Sequence, residues 1–405
     1  MKEKIANKTV LVGMTGGLES TVAAYLLKKQ GYRCIGIGMK FFDAGKNPGP
    51  FGDVVVSDLN KVKDICNYLD IPFYAVDASE IFANSVIDPT VGRILSGHTY
   101  EPLVFINLIT IEILIEKAKK FNTNLIATGH YAKSLYNHKT RSYELSVAND
   151  YEHDQSYMLS RLEQKHLENL MLPLSEIRKK EVQKIGELIK VEYIKRSKAY
   201  VGSLMQDPRM PGFVEERSAK DLWKAGNIYD YRLESSLCEH DGIHRYYIGQ
   251  SNIPSKPIDP IDPNKVVVMI VPFKGNVFID YPDELKYTHA FANRVLVSAN
   301  LDLTQPLSVY VKLTPNATEK IPCKLFFKNN GTCLVEFDSE RKGLLSPGQY
   351  LVFYSRANEK GKVLGSAFVE VSGSFKDNDF HTLPVYKKEE NEQRAKPRNT
   401  DKANF

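Results

Sequence analysis

Residues 9–29 read TVLVGMTGGLESTVAAYLLKK, an apolar run, a short glycine-bearing loop and a helical pattern in immediate succession. Thr9 to Met14 is uniformly apolar enough for a strand buried on both faces, and the stretch after Ser20 has the spacing of a packed helix. Between them, Gly16 and Gly17 let backbone N–H groups approach an anion without an intervening side chain. Thr15 and Ser20 add hydroxyls, and the helix N-terminus adds its dipole. That combination suits phosphate, although paired glycines also serve simply to tighten a strand-to-helix turn.

Outward from this segment, apolar runs alternate with helical stretches as far as about Asp207. CIGIGMKFF reads as the next strand, Asp58 to Leu69 as an amphipathic helix, FYAVDA as a strand, Ile106 to Lys120 as a helix and NLIATGHY as a further strand. Such alternation predicts an α/β, doubly wound parallel sheet. Residues 208–282 hold short elements and the proline-rich SNIPSKPIDPIDP, suited to a small connecting domain. Segments such as RVLVSANL, LSVYVKL, CKLFFK, TCLVEFD and QYLVFYS predict a C-terminal antiparallel β-barrel over 283–373. The charged residues 374–405 are expected to be a disordered tail. The first domain spans residues 1–207 in this reading.

The 405 residues are 42% hydrophobic and 25% charged, with a net charge of +5, a mild basic bias that permits a polyanionic partner. No stretch approaches the roughly 20 apolar residues of a membrane helix, and no secretory signal is evident, so a cytoplasmic location is expected. The five cysteines, Cys34, Cys66, Cys238, Cys323 and Cys333, are scattered without a CxxC pair, which argues against both a disulfide framework and a zinc site. No metal-binding residues are expected.

The loop Thr15-Gly16-Gly17-Leu18-Glu19-Ser20 resembles the SGGxDS signature of PP-loop (HUP-like) ATP pyrophosphatases, with threonine for serine and glutamate for aspartate. Further segments arrive in the order of one family, the tRNA-specific 2-thiouridylases. GMKFFD ending at Asp43 looks like its strand ending in an acid, IATGHYAK (126–133) like its ATGHY segment, and HDQSYMLSRL (153–162) like its DQSY motif. LPLSEIRKKEVQKIGEL, YIGQ, IPCKLFF and LSPGQYLVFY also resemble family segments. The resemblance implies ATP and Mg2+ as cofactors and adenylation of a tRNA wobble uridine. It implies a nucleotide site from Gly13, Met14, Thr15, Gly16, Gly17, Glu19, Ser20, Met39, Gly129 and His130, with the DQSY segment closing over it. Candidate tRNA contacts are Asp154, Gln155, Ser156, Lys179, Lys180, Lys195 and Arg196.

The same resemblance places two sulfur-carrying cysteines where this chain has none. GHTYEPLVFIN stands for a segment like GRTPNPxxxCN, with Leu103 at an acidic or cysteine position and Ile106 at the cysteine. In KRSKAYVGSLM the second cysteine position falls at Gly202. Lys61, Ile111, Ser251 and Asn252 replace further family residues. Cys34 and Cys66 read as structural, and Cys238, beside His240, Asp241 and His244, as the thiol with polar company.

Three functions follow as expectations. One is a tRNA-binding, ATP-using modification protein that activates uridine for an external nucleophile, with a sulfur-relay or paralogous partner. Another is an inactive paralogue that binds tRNA or nucleotide in a regulatory role. The third is a complete thiouridylase using a thiol placed elsewhere. DNA is not an expected partner.

Overall fold

The computed structural model describes residues 8–381 except 43–46, 56–57, 194–203, 234, 255–260, 284, 298–300, 329, 344 and 377–378. Asp43, Lys195, Arg196 and Gly202 lie outside the described residues. The chain begins with β1 (Thr9–Gly13), α1 (Leu18–Lys29), β2 (Arg33–Lys40), α2 (Leu59–Tyr68) and β3 (Phe73–Asp77). It continues with α3 (Ser79–Phe82), a π-helical turn (Ala83–Ile87), α4 (Asp88–Leu95), α5 (Pro102–Lys120) and β4 (Ile126–Ala127). A two-stranded ribbon, β5 (Lys133–Asn137) and β6 (Ser142–Ser146), precedes α6 (Gln164–Leu167), β7 (Leu170–Met171) and α7 (Lys179–Ile189).

Strands β3-β2-β1-β4-β7 form one sheet in that order, every pair parallel. The chain leaves β1 to one side and returns on the other, so the carboxyl end of β1 is the switch point at which open α/β sheets bind ligands. The alternation of apolar runs predicted this layout. Two boundaries differ from the sequence reading. The sheet uses only Ile126–Ala127 of the fourth strand, because Thr128 onward turns out of the carboxyl edge. The fifth helix starts at Pro102, with Glu101 as its N-cap, so Leu103 and Ile106 both fall in its opening turns. A proline at the first helical position has no N–H to leave unsatisfied.

A second sheet, β10-β11-β8-β9, is built from β8 (Gly226–Asp230), β9 (Ser236–His240), β10 (Val266–Val271) and β11 (Asn276–Asp280), with α8 (Met210–Glu215) before it. α8 meets the first domain where Gly49 leaves no room for a side chain beneath Phe213 and where the Phe51 and Phe213 rings pack 5.4 Å apart.

The C-terminal barrel has six antiparallel strands: β12 (Lys286–Val297), β13 (Leu307–Lys312), β14 (Ile321–Lys328), β15 (Thr332–Lys342), β16 (Tyr350–Tyr354) and β17 (Val363–Lys376). β12 closes it by pairing with both β15 and β17. The segment RVLV, read as the start of a separate strand, is the last third of β12. Register shifts within that strand, with Arg294 at φ 50°, bend it from one neighbour to the other. Pairing also continues into the segment expected to be an unstructured tail, since the β17 backbone pairs with β18 (Asp379–His381).

Barrel and sheet domain share one core. Tyr350, Val352, Tyr354, Val363 and Phe368 of the barrel pack in the same cluster as Ile106, Leu114, Tyr157 and Leu159. Beside it, the turn Ser346-Pro347-Gly348 presses on the segment that leads into α5. Thr99 donates through N–H and hydroxyl to the Pro347 carbonyl at 2.8 and 3.0 Å. Gly348 has φ 82°, and a Cβ there would stand 2.2 Å from the Thr99 carbonyl oxygen.

Gly348→Ala therefore loses about 2 kcal/mol or more of stability in urea unfolding, from both strain and clash. Gly331→Ala, at φ 74° with open space around it, loses only about 1 kcal/mol. Equal losses for the two variants would show that the Thr99 contact does not matter.

Candidate functional site

The loop between β1 and α1 is held from within. Ser20 Oγ accepts from the Thr15 N–H at 3.2 Å, lies 3.1 Å from Thr15 Oγ1 and donates to the Gly17 carbonyl at 3.1 Å. Thr21 Oγ1 donates to the same carbonyl at 2.8 Å. The Ser20 hydroxyl thus shapes the loop, while the Thr15 side chain is exposed at its tip. Gly16 at φ 71° takes the left-handed conformation that a side chain would strain. Gly17 caps α1 with no side-chain bond, so the first-turn N–H groups remain available to an anion. Glu19, half-buried, sits in that first turn.

A second glycine closes the other side. A Cβ on Gly129 would lie 2.6 Å from the Glu19 carbonyl carbon and 2.7 Å from the Ser20 nitrogen, so the ATGHY segment is in backbone contact with the start of α1. Next to it, His130 Nδ1 lies 2.9 Å from Thr128 Oγ1 and Nε2 lies 3.1 Å from Asn107 Oδ1. The amide oxygen can only accept, so Nε2 carries the proton and the threonine hydroxyl donates to Nδ1. Burial pushes the imidazole down to about 4, so it is neutral near pH 7. Gly13, at the end of β1, lets Leu114 of α5 approach.

Met14 and Met39 are both core residues, on opposite faces of the sheet. Met14 packs with Val62 and Ile65, whereas Met39 packs on the side of α5.

The DQSY segment faces the barrel. Asp154 Oδ1 accepts from the N–H groups of Ala148 and Ser156, and Oδ2 from the Ser156 hydroxyl at 2.6 Å. Ser156 Oγ is also 3.1 Å from the Tyr354 hydroxyl, and the Tyr157 hydroxyl donates to the Tyr350 carbonyl at 3.0 Å. Gln155 Oε1 accepts from the Tyr131 N–H at 3.0 Å, tying this segment to ATGHY. Ser156 is fully buried, so its hydroxyl serves the junction of the two domains.

On α7, Lys180, Lys184 and Lys190 are exposed and Lys179 is half-buried, its N–H bonded to Asp150 Oδ2 at 2.7 Å. Lys61 pairs with Glu192 at 2.5 Å. Lys195 and Arg196, beyond that helix, are outside the described residues.

Ile106 is 8% exposed, in the turn preceding Asn107, and its carbonyl accepts from Thr110 Oγ1 at 2.7 Å. The position assigned to a family cysteine is therefore one residue from the side chain that reaches His130. Cys34 and Cys66 are buried, and desolvation raises their thiols to about 11 and about 12. Cys333 is likewise raised to about 12, and burial raises Cys323 as well. Cys238 is half-buried in the second sheet, packed beside the core of Ile228 and Tyr246. Among the described residues, the cysteine nearest in sequence to Ile106 is thus an inert packed thiol.

Sequence reading missed three groups. Asn107 had no local signal, since its partner is 23 residues away. Tyr131 lay inside a motif but was not singled out. Glu101 directly precedes a proline that opens a helix, the position of an N-cap, and that signal was available. Its carboxylate accepts from the Leu103 N–H at 3.4 Å and is buried, and desolvation lifts its pKa from 4.5 to about 7 against that bond.

The folded state therefore holds the Glu101 proton more tightly than the unfolded chain. The stability this confers is complete below pH 4.5 and is lost as pH rises toward 7, on the order of 3 kcal/mol at most. Stability curves of Glu101→Gln and the parent should converge at low pH and separate above pH 7 in favour of the variant. Parallel curves across that range would refute the linkage.

Comparison with known proteins gives two family matches. Residues 8–200 match the model described as tRNA methyl transferase HUP domain, and residues 291–369 the one described as aminomethyltransferase beta-barrel domain. A protein named tRNA-specific 2-thiouridylase MnmA 2 from Thermoanaerobacter sp. (strain X514) is 33% identical over 380 residues, 90% of this chain and 98% of that one. The tRNA-specific 2-thiouridylase MnmA of Geotalea uraniireducens (strain Rf4) is 30% identical over 373 residues, 90% and 95% of the two chains. Among the described residues, no helix is long and apolar enough to cross a membrane.

Proposed function

Given that this chain belongs to the tRNA-specific 2-thiouridylase family, we propose that it is a divergent member that binds ATP and tRNA and adenylates a base carbonyl for a nucleophile supplied from outside. The observation that carries this reading is a phosphate loop with its glycines and internal bonds intact, beside a thiol position filled by Ile106. The cradle fits a nucleotide: Gly16 supplies the left-handed turn, Gly17 leaves the first N–H groups of α1 without a side-chain cap, and Gly129 lets the ATGHY backbone lie against that first turn.

In the proposed reaction the carbonyl oxygen of the base attacks the α-phosphate and pyrophosphate departs. An incoming nucleophile then takes the carbon, AMP leaves with the oxygen, and the nucleophile's proton passes to solvent. Mg2+, when bound with ATP, offsets the phosphate charge. Loop N–H groups orient the phosphates. The neutral His130, fixed at both nitrogens by Thr128 and Asn107, offers a rigid wall with no net charge. The exposed Lys180 and Lys184 suit tRNA phosphates, as do Lys195 and Arg196 from the sequence, whereas the buried Ser156 is held in the domain junction. The chain acts in the cytoplasm, and a sulfur-relay or paralogous protein supplies the nucleophile. A second reading, an inactive regulatory paralogue, draws on Glu19 standing one methylene longer than the family acid beside the missing thiols.

Purified protein incubated with tRNA, Mg2+ and ATP labelled at the α-phosphate is expected to form AMP and pyrophosphate only when tRNA is present. Gly129→Val, which drives a side chain into the Glu19 backbone, should cut AMP formation at least tenfold while tRNA retention on filters is kept. Binding of tRNA with no AMP in the parent protein would establish the regulatory reading instead.

A further inference from the structure

Beside the loop, Asp150, Glu152 and His153 bring one oxygen or nitrogen each to within 4.8 Å of one another. They lie on the short turn before DQSY, where Asp150 is buried while Glu152 and His153 reach the surface. His153 Nδ1 is 3.0 Å from Asp150 Oδ1, and the other oxygen of Asp150 accepts from the Lys179 N–H at 2.7 Å. Three such residues on an exposed turn are common and prove nothing. A second observation comes from the side facing the core.

Tyr131 is 2% exposed, and among the described residues its hydroxyl has no hydrogen-bond partner. Buried phenol hydroxyls are nearly always partnered, because leaving one unsatisfied costs about 1–3 kcal/mol. This hydroxyl feels the negative charges of Asp150 and Glu19, and its ring lies 6.4 Å from the His153 ring. The orphaned hydroxyl thus lies in the field of two carboxylates, with the Asp150–Glu152–His153 group next to its ring, and a cation there would offset that field. The nearby Lys133 does not fill that role, since its ammonium is held by Glu176 at 2.9 Å and by Asn149.

We propose that Asp150, Glu152 and His153 bind one divalent cation of the Mn2+ or Zn2+ type, with a metal-bound water donating to the Tyr131 hydroxyl. Bond lengths near 2.0–2.2 Å place the ligating atoms of one ion up to about 4.4 Å apart, so a small rotation of the exposed Glu152 completes the set. Mixed imidazole and carboxylate donors suit these ions better than Ca2+, which prefers oxygen alone. Asp150 is anchored from behind by the start of α7, so one ligand is preorganised. The ion displaces the His153 contact with Asp150, and the ring proton moves to the nitrogen that does not ligate, through exchange with solvent. The Tyr131 hydroxyl feels the charge of Glu19 in the loop as well as that of Asp150. The cation would add positive charge at the edge of that loop.

Mn2+ is the probe of choice because it binds thiolates poorly and so avoids Cys238. The full chain, free of nucleotide and tRNA, is titrated with Mn2+, and free ion is followed by its electron paramagnetic resonance signal. One saturable ion per chain is expected, displaced by Zn2+. Glu152→Gln and His153→Gln should each weaken it at least tenfold, and Tyr131→Phe should keep the stoichiometry at one. The first two variants change partly or fully exposed side chains, and unaltered thermal unfolding in chelator confirms their fold. An absence of saturable binding in the parent, or binding that persists unchanged in the double variant Glu152→Gln, His153→Gln, overturns the proposal. Since no ATP or tRNA is present, failure here is separate from failure of the adenylation reading.

Discussion

The junction between the sheet domain and the barrel rests on buried tyrosine hydroxyls. Tyr157 donates to the Tyr350 carbonyl, the Tyr350 hydroxyl lies 2.8 Å from Ser160 Oγ, and the Tyr354 hydroxyl meets Ser156. Each ring contributes apolar area to a common core, and each hydroxyl would be costly there without its partner. Directional bonds of this kind fix the orientation of the barrel as apolar contact alone would not. The rings reinforce it, with Tyr157 and Tyr350 meeting edge to face at 5.6 Å.

From that junction a chain of contacts runs to the phosphate loop. The Pro347-Gly348 turn of the barrel grips Thr99, and the chain passes through the buried Glu101 into α5. One and a half turns on, Asn107 reaches His130, whose neighbour Gly129 lies against the backbone of Glu19 and Ser20. The barrel thereby supports the helix that carries Asn107. Ile106, one residue before Asn107, packs in the shared core.

Electrostatics divide the region into two parts. His130 is neutral through burial, and Asp154 is buried in a mesh of donors with Lys312 nearby, burial raising its pKa against those bonds. The Tyr131 phenol, in the field of Glu19 and Asp150, has no hydrogen-bond partner among the described residues. The first part is saturated and structural, whereas the second is open to a further positive charge.

The fold was legible from the chain because its signals are local. Apolar runs of strand length, a helix pattern after Ser20 and alternation over the barrel strands each follow from burial of nearby residues, and the order of elements dictated the parallel sheet. The loop glycines were legible for the same reason, since a left-handed φ at Gly16 is a local need. What tertiary structure decided lies between distant segments. DQSY, read as a cover for the nucleotide, places Ser156 and Tyr157 against Tyr354 and Tyr350, nearly two hundred residues on in the chain. Asn107 gains its meaning only from His130, and Tyr131 only from the lack of any partner around it. Sequence periodicity reports which face of an element is buried, but which polar atom meets which is set by the packing of whole elements, and no local pattern encodes that.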